Sequence, residues 1–350
     1  MDMTFNNSQT FYDGKHCDNS VITAVCLIAI SIVAFGGNLL VLIAISINRN
    51  LRSVSDLFVA NLAVADLCQA VVAVPLRVTV LLSASQTPLI PCHMVVVFTV
   101  LFGGASNVNI LLVSIDRFIA IKWPFKYNIW VTVKLFTRTL VLSWFSLLLF
   151  AILPLVGWGR AENVTFSPTC RFTMTLERDY VVTGYILIHG IPLTTIIILY
   201  LFILKATFRH SRAIAAQEFS LRTNNSPMND HSITNEDMST NGEQHQQRNG
   251  GIRSSPMRAR KFSRRGKGVR MVAVLVGVFI ILVLPIIVID VVELWQEPFS
   301  PPAVVSVAIC LIYANSGVNV FIYAGWNSEY RRTFRLVLVS LWKFVKRPCS

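Results

Sequence analysis

The sequence predicts an all-α fold: a seven-transmembrane helix bundle followed by a cytoplasmic amphipathic eighth helix. Three observations carry that prediction. The chain is 54% hydrophobic and only 14% charged, and its mean hydropathy is +0.59, which sets it apart from ordinary soluble domains. Apolar runs long enough to cross a bilayer occur seven times. These runs do not alternate in polarity, which selects helices, because a backbone in hydrocarbon must satisfy its own hydrogen bonds.

The runs cover residues 21–47, 56–82, 92–121, 134–156, 180–208, 269–294 and 302–324. An odd number of crossings puts the two ends on opposite sides. The loops after the first, third and fifth runs, together with the tail, carry Arg49, Arg52, Lys122, Lys126, Arg209, Arg212, Arg331, Arg332 and Arg335. The other loops are nearly neutral, with no charge in residues 83–91. The positive-inside bias therefore predicts a multi-pass plasma-membrane protein with its N-terminus extracellular and its tail cytoplasmic. That orientation also accounts for the net charge of +13, so a nucleic-acid partner is not expected. The first twenty residues are polar and lack the apolar core of a cleavable signal, so the first helix is expected to direct insertion itself. Sequons at Asn6 and Asn163 fall on the predicted outer face and mark it for glycosylation.

The organisation that follows is an extracellular tail (1–20), helices one to five (21–210), a disordered cytoplasmic loop (211–268), helices six and seven (269–325), and an amphipathic helix with the tail (326–350). The long loop has a Ser/Thr/Asn/Gln half and a basic half, with too few apolar residues to offset the entropy of ordering. The segment "NSEYRRTFRLVLVSLWKFVK" mixes basic and apolar residues at helical spacing and suits the inner leaflet, so membrane lipid is an expected partner. Cys349 beyond it is a candidate for palmitoylation. Cys26, Cys68 and Cys310 lie within apolar runs as packing residues, whereas Cys92 and Cys170 lie on the outer side. A disulfide between these two would tether the loop over the bundle mouth, with Cys17 an alternative partner on the same side.

Several runs carry side chains that only a shared interior could accommodate: Asn38, Asp66, Ser106, Asn109, Asn315, Ser316 and Asn319. An acid at bilayer depth costs at least about 2.5–3.5 kcal/mol on insertion scales, so it normally faces the protein interior and marks a functional site. Asp66 is therefore expected to face a small wet cavity where hydroxyl and amide oxygens complete a cation site.

Motifs occur in every span and in order: "GGNLLV", "NLAVADL", "SIDRFIAI", Trp144, Pro192 with Tyr200, "FIILVLP" and "NSGVNVFIY". Together they resemble a rhodopsin-like (class A) G-protein-coupled receptor. The resemblance implies that Asp116 partly neutralises Arg117 in the resting state. On activation Arg117, with Tyr200 and Tyr323, would hold open a groove for a heterotrimeric G protein, as the sixth helix hinges near Pro285. It also implies a sodium pocket at Asp66, Ser106, Asn315 and Asn319, whose hard oxygens suit a hard cation. No cofactor is required beyond that allosteric Na+. Arrestin and a receptor kinase are implied as partners, acting on the Ser- and Thr-rich long loop.

Departures from the pattern bear on mechanism. Phe118 replaces the usual Tyr after the Arg, and Val320 replaces the usual Pro after Asn319, which predicts a shallower kink in the seventh helix. Val283 stands where the class usually has a Trp, so that its role passes to Phe279 or is lost. The sixth helix begins with Arg264, Arg265 and Lys267 and offers no acid there to restrain Arg117, which predicts high basal activity.

The residues implied to meet a small extracellular ligand are Arg77, Thr99, Val100, Phe172, Ile286, Asp290 and Tyr313. Thr99 stands where monoamine receptors carry the Asp that pairs with the ligand amine, and the seventh span has no Lys for a retinal chromophore. Within the class the nearest likeness is to adenosine receptors, carried by "NSGVNVFIYA", "SEYRRTFR" and the "CRF" of residues 170–172. A flat base stacked on Phe172 would gain about 1 kcal/mol. Against that likeness, Asp290 stands in place of an Asn, and Ile287 and Tyr313 in place of His residues. The expected ligand is thus adenosine or a related nucleoside, with an amine or other small molecule as the alternative. Asp290 and Glu293 could anchor a cation and Arg77 an anion, or the three could form an internal ion pair or snorkel to the interface. His189 is expected to be a hydrogen-bonded packing residue. A channel or transporter is the competing class, but the halves of the chain show no repeat. An enzyme lacks any HExxH, Ser/His/Asp set or nucleotide loop.

Overall fold

The structure, a computed structural model, describes residues 7–83, 89–160, 170–206, 256–296 and 300–346. The sequons at Asn6 and Asn163, loop residues 211–255 and Cys349 lie outside these. Eight long helices follow in order: α1 (Asn7–Ile47), α2 (Val54–Leu82), α3 (Pro91–Lys122), α4 (Val133–Leu155), α5 (Arg178–Ala206), α6 (Pro256–Glu293), α7 (Pro302–Trp326) and α8 (Ser328–Val345). The first seven contain stretches long and apolar enough to cross a membrane, each within a few residues of an expected run. Among the described residues no strand forms beyond one isolated bridge, Arg160 to Leu176.

Two boundaries differ from expectation. Helix α1 starts at Asn7, inside the 1–20 tail. Helix α6 starts at Pro256, within the segment expected to be disordered up to residue 268. Pro at a first helical position is pre-set for the helix, and the Arg, Lys, Met and Ala that follow are good helix formers, so local propensity carries the turn pattern where apolar content does not.

Local signals fix the other ends. Ser53 and Asp56 cap each other at the start of α2: the Asp56 N–H donates to the Ser53 hydroxyl, and the Ser53 N–H donates to the Asp56 carboxylate at 3.1 Å. Thr132 caps α4 by accepting from the Leu135 N–H. Pro302 opens α7. In α6, Pro285 removes the N–H that the Ile281 carbonyl would otherwise bind, which weakens the helix at one level.

The bundle closes around α2, α3 and α7, while α4 turns most of its surface outward: Val141, Leu142, Phe145 and Leu149 are exposed, as befits a lipid-facing helix. Helices α1 and α7 pack closely because Gly37 has no Cβ; one built there would lie 2.7 Å from Val320 Cγ2. Asn38 donates to the Ala34 carbonyl at 2.8 Å and to the Ser316 carbonyl at 2.9 Å, pinning the same pair. Helix α8 folds back against this corner. Tyr330 stacks on Tyr323 with ring centroids 5.7 Å apart, Asn48 donates to Thr333 at 2.8 Å, and Leu336, Leu338 and Trp342 remain exposed on the face expected to meet lipid.

Candidate functional site

The ends of the helices nearest the Cys92–Cys170 disulfide, here called the outer ends, enclose a cavity of about 120 Å³. All seven residues expected to meet a ligand line it: Arg77, Thr99, Val100, Phe172, Ile286, Asp290 and Tyr313. Its wall is shaped by three wide π-type turns, at Gln69–Ala73, Thr99–Gly103 and Tyr185–Gly190. Each contributes a lining residue, among them Gln69, Thr99 and Tyr185. Such turns insert an extra residue per turn, re-aim side chains, and are frequent at functional sites.

The roof is the loop that carries Cys170, joined to Cys92 by a disulfide with Cα atoms 5.4 Å apart. The next residue, Arg171, ion-pairs with Glu293 and lies 3.8 Å from Asp290, tying the loop to the outer end of α6. Asp290 also accepts a hydrogen bond from Tyr185. Both acids are therefore engaged, but by Arg171 and not by Arg77, which the ion-pair alternative from the sequence had grouped with them. Arg77 donates to the Cys170 carbonyl at 3.0 Å. The hydroxyls of Thr99 and Tyr313 lie 3.0 Å apart and bridge α3 to α7. His189 lies 3.1 Å from Asn107 Nδ2, the expected bonded packing, but also lines the cavity. It further lines a separate small pocket with Phe279 and Val283, so Phe279 contacts that pocket and is not among the residues lining the main cavity.

Below the cavity a polar seam continues inward. Ser106 and Asn315 line the cavity floor. Asp66 is fully buried and accepts from Asn319 at 2.8 Å; among the described residues its second carboxylate oxygen and the Ser106 hydroxyl make no hydrogen bond. Two orphaned buried oxygens beside two amide side chains form a donor set that fits a small hard cation. Alongside, Trp144 donates to Asn61 at 3.2 Å and Asn61 donates to Asn109 at 2.6 Å, linking α4, α2 and α3.

At the end of the bundle away from the cavity Asp116 accepts from Ser55 and from Tyr127, each at 2.6 Å, while Arg117 Nε lies 3.6 Å from its carboxylate. Arg117 Nε and the buried hydroxyls of Tyr200 and Tyr323 have no hydrogen-bond partner. Tyr127, in the loop after α3, has its phenol pushed up to about 12 by burial and by its hydrogen bond to Asp116. Tyr330 on α8 is raised as well, by burial and by the charge of Asp56.

The chain matches a family model described as "7 transmembrane receptor (rhodopsin family)" over residues 37–323. It belongs to this family. Relatives include the mouse alpha-1A adrenergic receptor, 27% identical over 95% of this chain and 72% of its own length. The Drosophila melanogaster octopamine receptor beta-2R is 28% identical over 92% of this chain and 62% of its length, and the Takifugu rubripes D(1)-like dopamine receptor 26% over 95% and 74%. The chain thus spans between about three fifths and three quarters of these relatives. As a rhodopsin-family receptor it is a multi-pass membrane protein of the G-protein-coupled class and not an enzyme. These relatives carry amine names and none an adenosine name, so the nucleoside expectation finds no support among them.

What sequence reasoning missed in this receptor is mostly the loop. Arg171 follows a Cys expected to sit over the mouth, and that adjacency was the available signal. The wide turns leave no mark in composition. Tyr185 and Gln69 sit in apolar runs and could have been noticed only by their depth.

Proposed function

We propose that this receptor sits in the plasma membrane with its N-terminus outside, binds a small amine-bearing ligand in the outer cavity, and drives nucleotide exchange on a heterotrimeric G protein. The observation that carries the reading is the cavity itself, in which Asp290 lies among hydroxyls and aromatic rings five residues beyond the hinge at Pro285. With Thr99 in the usual anchoring place, the ligand ammonium goes to Asp290, and Arg171 withdraws towards Glu293. A ligand that grips Asp290 holds the outer end of α6. Tight binding to one arrangement of that helix biases a two-state bundle towards an open cytoplasmic cleft. A nucleoside would meet only acceptors at Asp290, which is already held by Tyr185.

Arg117, with Tyr200 and Tyr323, then lines the groove that receives the G protein. Asp66, Ser106, Asn315 and Asn319 would hold an allosteric sodium ion in the resting receptor, its charge balancing the Asp66 carboxylate. Arrestin and a receptor kinase act on the long loop, and anionic lipid on α8. With only Asp116 beside Arg117 among the described carboxylates, basal exchange is high.

The test is a screen of amines, nucleosides and small acids for nucleotide exchange in membranes holding the full-length receptor. An amine activates, and Asp290→Asn weakens it by roughly 10- to 100-fold, the loss of one charge-assisted bond. Arg117→Ala abolishes both basal and stimulated exchange at unchanged surface expression. Activation by nucleosides with every amine silent overturns the amine assignment.

A further inference from the structure

The cavity holds two arginines in unlike situations. Arg171 touches both acids of the outer rim. Arg77 lies deeper on α2, is 5% exposed, and lines the same cavity, yet no described carboxylate comes within ion-pair distance of it. Among the described residues one hydrogen bond holds it: Nη1 donates to the Cys170 carbonyl, while Nε is buried and makes none. Tyr313 on α7, Asp290 on α6 and Arg171 in the loop line the same cavity, and the two charged ones carry opposite signs. A guanidinium taken out of water without a counter-charge is expensive, and leaving a donor orphaned adds to that cost.

From this geometry we infer that Arg77 is the docking point for an anionic group of the cavity's ligand, a carboxylate before any other. The inference rests on the reading that this cavity is the ligand site. The Nε side of a guanidinium offers two parallel N–H groups, Nε and Nη2, spaced for the two oxygens of a carboxylate. The Thr99 and Tyr313 hydroxyls, on the two helices across the same cavity, can donate to a ligand beside it. With Asp290 taking an ammonium, the favoured ligand is an ampholyte of amino-acid type. The bond to Cys170 keeps the guanidinium in place when the cavity is entered, and it couples ligand capture at α2 to the disulfide-tethered roof.

The experiment uses the full-length receptor and matched compounds that differ by one group: phenethylamine, phenylalanine and 3-phenylpropionate, with their shorter and hydroxylated homologues. Thermal unfolding of purified receptor and nucleotide exchange in membranes are both read. The amino acids stabilise and activate at least tenfold more potently than the matching carboxylate-free amines, and 3-phenylpropionate gives a thermal shift that depends on Arg77. Arg77→Gln erases that difference, the amino acids losing at least tenfold more potency than the matching carboxylate-free amines. Arg77→Lys, which keeps a charge and a donor for the Cys170 carbonyl but not the paired N–H edge, retains surface expression and recovers only part of the preference. Equal potency within the pairs, an unchanged preference in Arg77→Gln, or no thermal shift with any carboxylate overturns the inference. A sodium chloride titration that alone gives an Arg77-dependent shift, with no difference within the pairs, assigns the residue to a free inorganic anion and overturns it too. If amines activate through Asp290 while Arg77→Gln is silent, the proposed function stands and this inference falls. If no compound acts and Arg117→Ala leaves exchange unchanged, the receptor reading falls with it.

Discussion

In the half of the bundle that holds Asp116, buried polar groups meet through short bonds between neighbours. Asp116 receives two hydroxyls at 2.6 Å, Asn38 spans two carbonyls, and Gly37 lets α1 and α7 touch. In the outer half the same task falls to formal charges. Arg171 reaches Asp290 and Glu293 from a loop, Arg77 is left with a single carbonyl, and the surrounding helices widen into π-type turns. Short hydrogen bonds between closely packed neighbours make a rigid frame. Charges that can exchange partners make a site whose occupant changes the arrangement, so the two halves differ in what can be displaced.

The largest effect is expected where that contrast is sharpest. Arg171→Gln leaves Asp290 and Glu293 without their cation in a mostly buried rim, a loss of about 3–5 kcal/mol by the precedent of broken buried pairs. The purified variant should melt well below wild type, and the triple variant that also carries Asp290→Asn and Glu293→Gln should recover most of the difference. A melting temperature equal to wild type would mean that the rim charges are solvated and that the outer half is not held by them.

How much of this was legible in the sequence follows the same division. The seven spans, the Asp66 seam and the Asp116–Arg117 pair were readable because hydrocarbon forces long apolar runs and makes each intramembrane polar residue conspicuous. The cavity residues were readable through the family resemblance, whose motifs fix where each span and the Cys170 loop sit. Arg171 and the wide turns were not, because they depend on where a loop lands and on one extra residue per turn, neither of which has a compositional signature. The helical start of α6 at Pro256 was hidden for the opposite reason: strong local propensity lay beneath a composition that suggested disorder.

A smaller effect should follow from filling the contact between α1 and α7. Gly37→Ala places a methyl 2.7 Å from Val320 Cγ2, and overpacking of this kind costs about 1–3 kcal/mol. Helix propensity alone would favour the same change by about 1 kcal/mol, so a net fall in melting temperature isolates the clash. Adding Val320→Ala should relieve it. If Gly37→Ala stabilises the receptor instead, the half that holds Asp116 is less tightly set than the outer one and the contrast fails.

The smallest effect concerns the Asp116 cluster. Two hydroxyls sit at 2.6 Å from its carboxylate, while Arg117 stands off at 3.6 Å, so the hydroxyls satisfy charge that Arg117 would otherwise claim. Tyr127→Phe removes one of them, worth on the order of 1 kcal/mol. Arg117 should then close on Asp116, and basal nucleotide exchange should fall a few-fold, with Ser55→Ala adding to it. The raised phenol bears on the pH range. A group lifted to about 12 contributes fully below its ordinary value near 10 and is lost only as pH climbs through 12, so the difference between wild type and Tyr127→Phe should stay flat from about pH 6 to 9. A rise in basal exchange on removing the hydroxyl would show that Tyr127 holds Asp116 in the resting arrangement, and that these short bonds restrain the receptor instead of competing with Arg117.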